Sequence, residues 1–137
     1  GVSTGPSGAA GTAGLLAAVS GLVVSTAQAA PADADRGGQL YARCAACHAL
    51  AYDRVGPRHC GLIGRRAGSI AGFDYSPAMK RSGIVWTVQA LDRFLAEPMK
   101  RVPGTTMTYA GVDDRRDRAD LIAYLERADR SPACARK

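Results

Sequence analysis

The pentapeptide Cys44-Ala45-Ala46-Cys47-His48 decides how the rest of this sequence is interpreted. Two thiols three residues apart can each add to one vinyl group of the same haem, and the adjacent histidine can then bind the iron as an axial ligand. The C-x-x-C-H pattern is typical of c-type haem attachment. It predicts one covalently attached haem c with its iron, Cys44 and Cys47 as the thioether anchors, and His48 as a metal ligand.

Three other kinds of site use similar residues. A thioredoxin-like redox pair needs a βαβ context, which the sequence does not show. Half of a zinc site would need a second Cys or His pair, and His59 with Cys60 does not supply one with suitable spacing. A plain disulfide between Cys44 and Cys47 would leave His48 without a role. Haem attachment therefore remains the interpretation that uses all three residues.

The sequence around the pentapeptide predicts helices and almost no strands. Capping residues beside apolar residues at helical spacing mark helix starts. Four starts follow from this pattern: Asp33 or Asp35, Ser76 before Pro77, Thr87, and Asp113 or Asp114. Gly83 and Pro98 are expected to end the second and third helices, whereas segment 49–72, rich in Gly, Arg and Pro, cannot sustain one. Four or so short helices form a poor apolar core at this length, so we expect an all-α fold wrapped around a flat apolar cofactor.

The N-terminal residues predict a secretory signal peptide. Residues 1–32 carry no charge, and the apolar stretch 15–24 leads to the small-x-small sequence Ala27-Gln28-Ala29. A membrane anchor is the alternative, but the interrupted apolar run falls short of the ~20 residues that span a bilayer. Since a charged leader and an initial Met are missing, we expect a truncated or misassigned start. Residues 1–29 are assigned to the signal, and 30–137 to one exported, periplasmic domain.

The charge of the chain indicates a solvated surface. Its 18 basic and 12 acidic residues give a formal charge of +6, and the basic residues are scattered. No helix combines a basic face with interleaved aromatic residues, so nucleic-acid binding is not expected. After signal cleavage we expect a monomer that does not bind a membrane.

From residue 37 to residue 128 the sequence resembles class I cytochrome c of the mitochondrial and bacterial short-soluble type. Gly37 and Tyr41 resemble the first-helix glycine and aromatic residue that pack against an aromatic residue on the last helix, here Tyr124. Val55-Gly56-Pro57 is similar to the family's Gly-Pro turn. The resemblance implies that the Pro57 carbonyl accepts a hydrogen bond from the axial histidine and fixes its tautomer.

Further matches lie in the loops that follow. Segments 61–65 and 72–75 resemble the loops at the haem propionate edge, and segment 84–86 resembles the one that carries a buried tryptophan. The resemblance implies propionate donors in Tyr75 and Trp86, whose polar atoms need buried partners. Arg65 would compensate a propionate charge. For Trp86, simple core filling is the alternative.

The second axial ligand is expected to be a methionine. A low-spin electron carrier needs both axial positions filled, and a thioether sulfur favours Fe(II). The chain has Met79, Met99 and Met107. Only Met107 follows a Pro-Gly turn in an irregular loop, and segment 102–107 is similar to the family's methionine loop. The resemblance therefore implies Met107 as the metal ligand opposite His48.

The sequence departs from the family pattern in three places. Phe94 stands where many members have a tyrosine that reaches the methionine sulfur, and Met79 stands where an asparagine is common. His59 and Cys60 replace the usual apolar residue and its neighbour. We expect His59 near the haem edge, as a surface or structural histidine rather than a ligand. These changes concern the reduction potential and leave the haem prediction intact.

Two cysteines remain after haem attachment. Cys60 and Cys134 are an even pair in a compartment expected to be oxidising. The resemblance places Cys60 in the turn after Pro57 and the end of the last helix across the first helix, which brings the C-terminal tail, 131–137, near that turn. This implies a disulfide between Cys60 and Cys134, with two free thiols or a buried Cys60 as the alternatives.

The predicted function is one-electron transfer between transient redox-protein donors and acceptors. A six-coordinate iron leaves no site for a substrate, so no enzyme activity is expected. A peroxidase-like haem enzyme is one alternative, with His59 as the only other histidine; a dedicated electron-accepting subunit of a periplasmic dehydrogenase is another. Four basic residues near the presumed haem edge are predicted to steer acidic partners: Arg43, Lys80, Lys100 and Arg101.

Overall fold

Five α-helices and two short 3-10 turns make up the regular structure of the part of the chain that is described. A computed structural model of the protein describes residues 1–28 and 30–135. The helices are α1 (Ala34–Leu40), α2 (Pro77–Arg81), α3 (Val88–Ala96), α4 (Pro98–Arg101) and α5 (Arg115–Asp129), and the 3-10 turns are Tyr41–Arg43 and Pro132–Cys134. Within the described ranges an isolated bridge between Arg66 and Val85 is the only extended pairing. The all-α prediction is confirmed.

Side-chain caps explain where four of the helices begin. Asp33, Ser76, Thr87 and Asp114 each accept a hydrogen bond from a backbone N–H in the first turn of the following helix. Such a cap satisfies one of the donors that a helix start leaves without an intrahelical partner. Of the paired alternatives at α1 and α5, the structure selects Asp33 and Asp114.

Helix α4 was not predicted. Pro98 ends α3, as expected, but it also occupies the first position of a new helical turn. Proline fits there because its fixed φ suits a helix and its missing N–H would have no intrahelical acceptor. Pro98 therefore both ends one helix and begins the next, and a prediction that uses it only as a helix stop misses α4.

The N-terminal segment lies outside the packed domain. Residues 1–28 have no regular secondary structure, and apolar side chains such as Leu15 and Leu16 are exposed. Ala29, the last residue of the predicted cleavage sequence, lies outside the described residues, as do Arg136 and Lys137 of the predicted tail. Among the described residues, no helix has the length and apolar character needed to cross a bilayer.

The crossing of α1 and α5 fixes the position of the segment that follows α1. Gly37 is the closest point, since a Cβ there would overlap the Asp120 backbone and lie 2.8 Å from Tyr124 Cβ. The Asp120 carboxylate is fully buried. It accepts from the Asp33 N–H at 2.8 Å and from the Arg36 guanidinium at 2.9 Å. This crossing holds the pentapeptide, three residues beyond α1, against the core.

Helices α3 and α5 supply one apolar wall. Their buried residues are Leu91, Phe94, Leu95, Leu121, Ile122 and Leu125. Full burial of one such side chain contributes about 1.5–3 kcal/mol relative to exposure. The wall faces a cavity that the remaining loops close.

Candidate haem site

A cavity of about 490 Å³ lies between the pentapeptide, the α3–α5 wall and the loops on either side of α2. This volume is within the ~300–1,000 Å³ range of small-molecule and cofactor sites. Eight of the predicted site residues line it: Cys44, Cys47, His48, Pro57, Arg65, Tyr75, Trp86 and Met107. They come from six separate segments of the chain, so the fold brings together residues that are up to 63 positions apart.

The pentapeptide forms a single helical turn. The N–H groups of Cys47 and His48 both donate to the Cys44 carbonyl, at 3.1 and 2.9 Å. Residues at positions i, i+3 and i+4 share one face of such a turn, and therefore both thiols and the imidazole face the same cavity. Burial raises the pKa of the Cys44 thiol. Cys44 and Cys47 are not joined to each other, which excludes the plain disulfide between them in this structure.

The His48 ring is held in one tautomer. Its Nδ1 lies 2.8 Å from the Pro57 carbonyl oxygen, and because a carbonyl can only accept, Nδ1 carries the proton. The lone pair of Nε2 is then available to a metal. Burial lowers the pKa of His48 despite the Pro57 hydrogen bond, which favours this neutral form.

Gly56 makes room for that ring. A Cβ at Gly56 would lie 2.6 Å from His48 Nδ1, closer than real Cβ contacts allow. The turn is fixed by the Gly56 N–H, which donates to the Cys47 carbonyl at 2.7 Å. The site therefore offers a neutral histidine to bind the iron, two thiols to attach the porphyrin and an apolar cavity to hold it. These features fit a c-type haem.

Two methionines reach the cavity. Met107 and Met79 both line it, whereas Met99 does not line it and is 47 % exposed. Met107 follows the turn at Pro103-Gly104, where Gly104 has a φ of +90°. The backbone N–H of Met107 donates to Thr105 Oγ1 at 3.2 Å. Met79 lies instead inside α2, so the two thioethers approach from different elements.

Two of the polar side chains that line the cavity, those of Tyr75 and Arg65, have hydrogen-bond partners within the protein. Ile70 N–H donates to the Tyr75 hydroxyl oxygen at 3.3 Å, which leaves the hydroxyl proton available. The Arg65 guanidinium donates to the carbonyls of Arg58 and Cys60 at 2.8 and 3.3 Å, and burial lowers its pKa. Trp86 is buried, with its ring centroid 4.9 Å from that of Phe94. Core filling by Trp86 and a lining role thus coexist.

Of the two roles expected for His59, surface or structural, the contacts of its ring match the structural one. It stacks on His48 with ring centroids 4.1 Å apart and planes at 20°. Its Nδ1 shares a 2.9 Å hydrogen bond with the Tyr41 hydroxyl. Burial, with smaller contributions from His48 and Arg65, lowers the pKa of His59 to about 3. Tyr41 as its partner was missed, because the two residues are 18 positions apart and no local pattern links them.

Cys60 and Cys134 form a disulfide in the structure, with their Cα atoms 5.3 Å apart. A second link lies beside it, where the Gly61 N–H donates to Asp129 Oδ1 at 2.8 Å. The Cys60 N–H donates to the Leu50 carbonyl at 2.8 Å. The turn after Pro57 is therefore tied to the end of α5 and to the loop after the pentapeptide.

The four basic residues expected around one edge are divided between three places. Arg43 lines the cavity. Lys100 and Arg101 line a separate cleft that also contains Arg93 and Arg118, and Lys100 pairs with Glu97 at 3.5 Å. The short helix α4, which the sequence analysis missed, carries both of these residues away from the cavity lining. Lys80 is exposed on α2.

Known proteins resemble the chain over this same region. The family model described as cytochrome c matches residues 34–129. Cytochrome c2 of Blastochloris viridis is 44 % identical over 108 residues, covering 77 % of this chain and 85 % of that protein. Cytochrome c of Arabidopsis thaliana is 43 % identical over 98 residues, covering 69 % and 88 %. The solved structure of cytochrome cH from Methylobacterium extorquens matches with a TM-score of 0.68 and 41 % identity, covering 69 % of this chain and 98 % of that one.

Proposed function

The chain belongs to the cytochrome c family as a class I member, and from this premise we propose that it carries single electrons between periplasmic redox proteins, with His48 and Met107 as the axial ligands. A covalently attached haem c with iron is the cofactor of this family. The proposal adds the ligand pair, the compartment and the absence of enzyme activity.

One observation carries the proposal. His48, locked at Nδ1 by Pro57, lines the same cavity as both motif thiols and Met107. The haem supplies the one-electron change between Fe(II) and Fe(III) when it is bound. The protein holds a neutral imidazole, offers a thioether from a turn-anchored loop, and surrounds both with the apolar α3–α5 wall. Met107 is preferred to Met79 because its loop is irregular and matches the family's methionine segment.

The position of His59 argues against a peroxidase-like enzyme. An acid–base residue would have to act on the open side of the iron, opposite the histidine ligand. His59 stacks on His48 and hydrogen-bonds to Tyr41, so it belongs to the ligand's own side. No second candidate function is favoured by an observation of this kind.

The proposed compartment is the periplasm, and the proposed mature protein is a monomer that begins at Ala30. Support comes from the exposed apolar segment before Ala27 and from the Cys60–Cys134 pair, since disulfides persist in oxidising compartments. Mass spectrometry of the exported holoprotein tests the boundary. A mass corresponding to residues 30–137 plus haem supports it, and a retained leader contradicts it.

The electron-carrier proposal is tested by redox titration of the purified holoprotein. We expect a reversible one-electron transition, a far-red methionine–Fe(III) band in the oxidised form, and haem that resists extraction by acid acetone. A high-spin oxidised spectrum with rapid turnover of hydrogen peroxide would instead indicate a haem enzyme. Exchange with several redox proteins, rather than with one dehydrogenase alone, would separate a mobile carrier from a dedicated subunit.

A further inference from the structure

Three groups lie against the His48 ring: the Pro57 carbonyl, the Gly56 backbone and the His59 ring. The hydrogen bond from Nδ1 to the Pro57 carbonyl fixes one edge of the ring. A single hydrogen bond leaves the ring free to swing about that contact, so it does not set the ring plane. The face of the ring lies against His59, with centroids 4.1 Å apart and planes at 20°. His59 is therefore the side chain that limits the plane of His48, and the Gly56 backbone lies close to the same ring.

His59 is itself held from several directions. Its N–H donates to the Ala49 carbonyl at 3.1 Å, and its carbonyl accepts from the Leu62 N–H at 2.9 Å. The next residue, Cys60, is bonded to Cys134. The side chain is then oriented by the 2.9 Å hydrogen bond between Nδ1 and the Tyr41 hydroxyl. Contacts other than the one with His48 thus fix both the backbone position and the ring direction of His59.

Tyr41 is held in place next to the crossing of α1 and α5. It is buried, and its ring centroid lies 5.2 Å from that of Tyr124 on α5. Burying a hydroxyl and an imidazole is costly unless they bond to each other. An apolar pair would fill the same space without that cost but also without a directional bond. The polar pair therefore supplies orientation that packing alone would not.

We propose that His59, oriented by Tyr41, is a positioning residue that sets the plane of the His48 imidazole. The inference rests on the proposed function, because it requires His48 to bind the haem iron. The plane of an axial imidazole determines how unpaired spin spreads over the haem. The four haem-methyl NMR shifts of the oxidised protein report the combined orientation of the two axial ligands, so a change caused by a residue that touches His48 and not Met107 reports the imidazole plane.

The test compares four variants of the oxidised holoprotein: His59→Leu, Tyr41→Phe, the double variant Tyr41→Phe/His59→Leu, and Tyr124→Phe as the control. The double variant replaces the polar pair by an apolar pair and leaves no orphaned hydroxyl. Tyr124→Phe removes the same chemical group one ring farther from His48. For each, the haem-methyl shifts, the far-red band and the thermal midpoint are measured.

We expect the order or spread of the haem-methyl shifts to change in His59→Leu and in the double variant, while Tyr124→Phe keeps the wild-type pattern. A double variant with the wild-type pattern would overturn the proposal, whatever its thermal midpoint, since His59 would then only fill space. If His59→Leu does not fold, Tyr41→Phe carries the same test, because it removes the hydrogen bond that orients His59: its haem-methyl pattern is expected to change, and a wild-type pattern would overturn the proposal. Retention of the far-red band shows that ligation is intact, and its absence from the wild type would refute the proposed function instead.

Discussion

Gly37 and Asp120 meet at the closest approach of α1 and α5, where a Cβ on Gly37 would overlap the Asp120 backbone. A Cβ on Gly38, the next residue, would lie 3.2 Å from two atoms of the Tyr124 ring. Two adjacent glycines of one helix thus differ sharply in the space beside them. This relationship positions the pentapeptide, because α1 leads directly into it.

Gly37→Ala should destabilise the protein, and Gly38→Ala should not. The methyl group at position 37 would force the helices apart, and overpacking of this kind costs about 1–3 kcal/mol. At position 38 the Tyr124 ring must shift by a few tenths of an ångström to admit a Cβ, and the gain in helix propensity, roughly 0.5–1 kcal/mol, offsets that contact. Chemical denaturation of the two holoproteins measures both. Equal midpoints would show that the crossing tolerates a side chain.

Met107→Ala should abolish the far-red band of the oxidised protein and lower its reduction potential, with the haem still attached. Loss of the soft thioether removes the preference for Fe(II). Met79→Ala is the matched control, because Met79 lines the same cavity; it should keep the band. A band that survives Met107→Ala and disappears in Met79→Ala would reverse the assignment.

The buried Asp120 predicts acid sensitivity. Its pKa is lowered by the hydrogen bond from the Asp33 N–H and by the guanidinium groups of Arg36 and Arg116. A carboxyl whose pKa is lower when folded stabilises the protein above its unfolded pKa of about 3.9. That stabilisation is lost as the pH falls through the folded pKa.

Asp120→Asn should therefore lower the free energy of unfolding at pH 7 and flatten its decline below pH 4. The exposed Asp113 lies one position before the cap of α5, and Asp113→Asn serves as the control that keeps the acid dependence. Urea denaturation between pH 3 and pH 7 measures the slope. If the free energy of unfolding fell equally steeply with pH in the wild type and in Asp120→Asn, the loss of stability in acid would not come from this carboxyl.

Arg43→Ala should weaken the ionic-strength dependence of electron transfer to an acidic partner more than Lys100→Ala does. Arg43 lines the cavity, whereas Lys100 lies in the separate cleft and pairs with Glu97. Charge near the docking edge acts mainly on the encounter rate and is screened by salt. Stopped-flow rates between 10 and 500 mM salt provide the measurement. A wild-type rate that does not fall with salt would contradict steering altogether.

The sequence predicts the parts of this site whose chemistry is local. Cys44, Cys47 and His48 form one helical turn, so their spacing alone brings them to one face. Caps likewise act within three residues, which is why four helix starts could be located. The link between Tyr41 and His59 depends instead on how the turn after Pro57 packs against α1, and no periodicity contains that information. The same limit applies to α4, where one proline both ends and begins a helix, and to the placement of Lys100 and Arg101.

The last prediction concerns the link between the turn and the tail. Cys60 and Cys134 are 74 positions apart, and closing a loop of this length stabilises the folded state by ~4 kcal/mol in the chain-entropy model. Thiol titration of the unreduced, denatured holoprotein should find no free cysteine, because the other two cysteines are expected in thioether bonds. The double variant Cys60→Ser/Cys134→Ser should unfold at a lower denaturant concentration than the wild type. Reducing agent should destabilise the wild type and leave the double variant unchanged, which separates loss of the disulfide from the effect of the substitutions. Two titratable thiols in the wild type, or equal stability of the oxidised wild type and the double variant, would show that the disulfide does not stabilise the protein in solution.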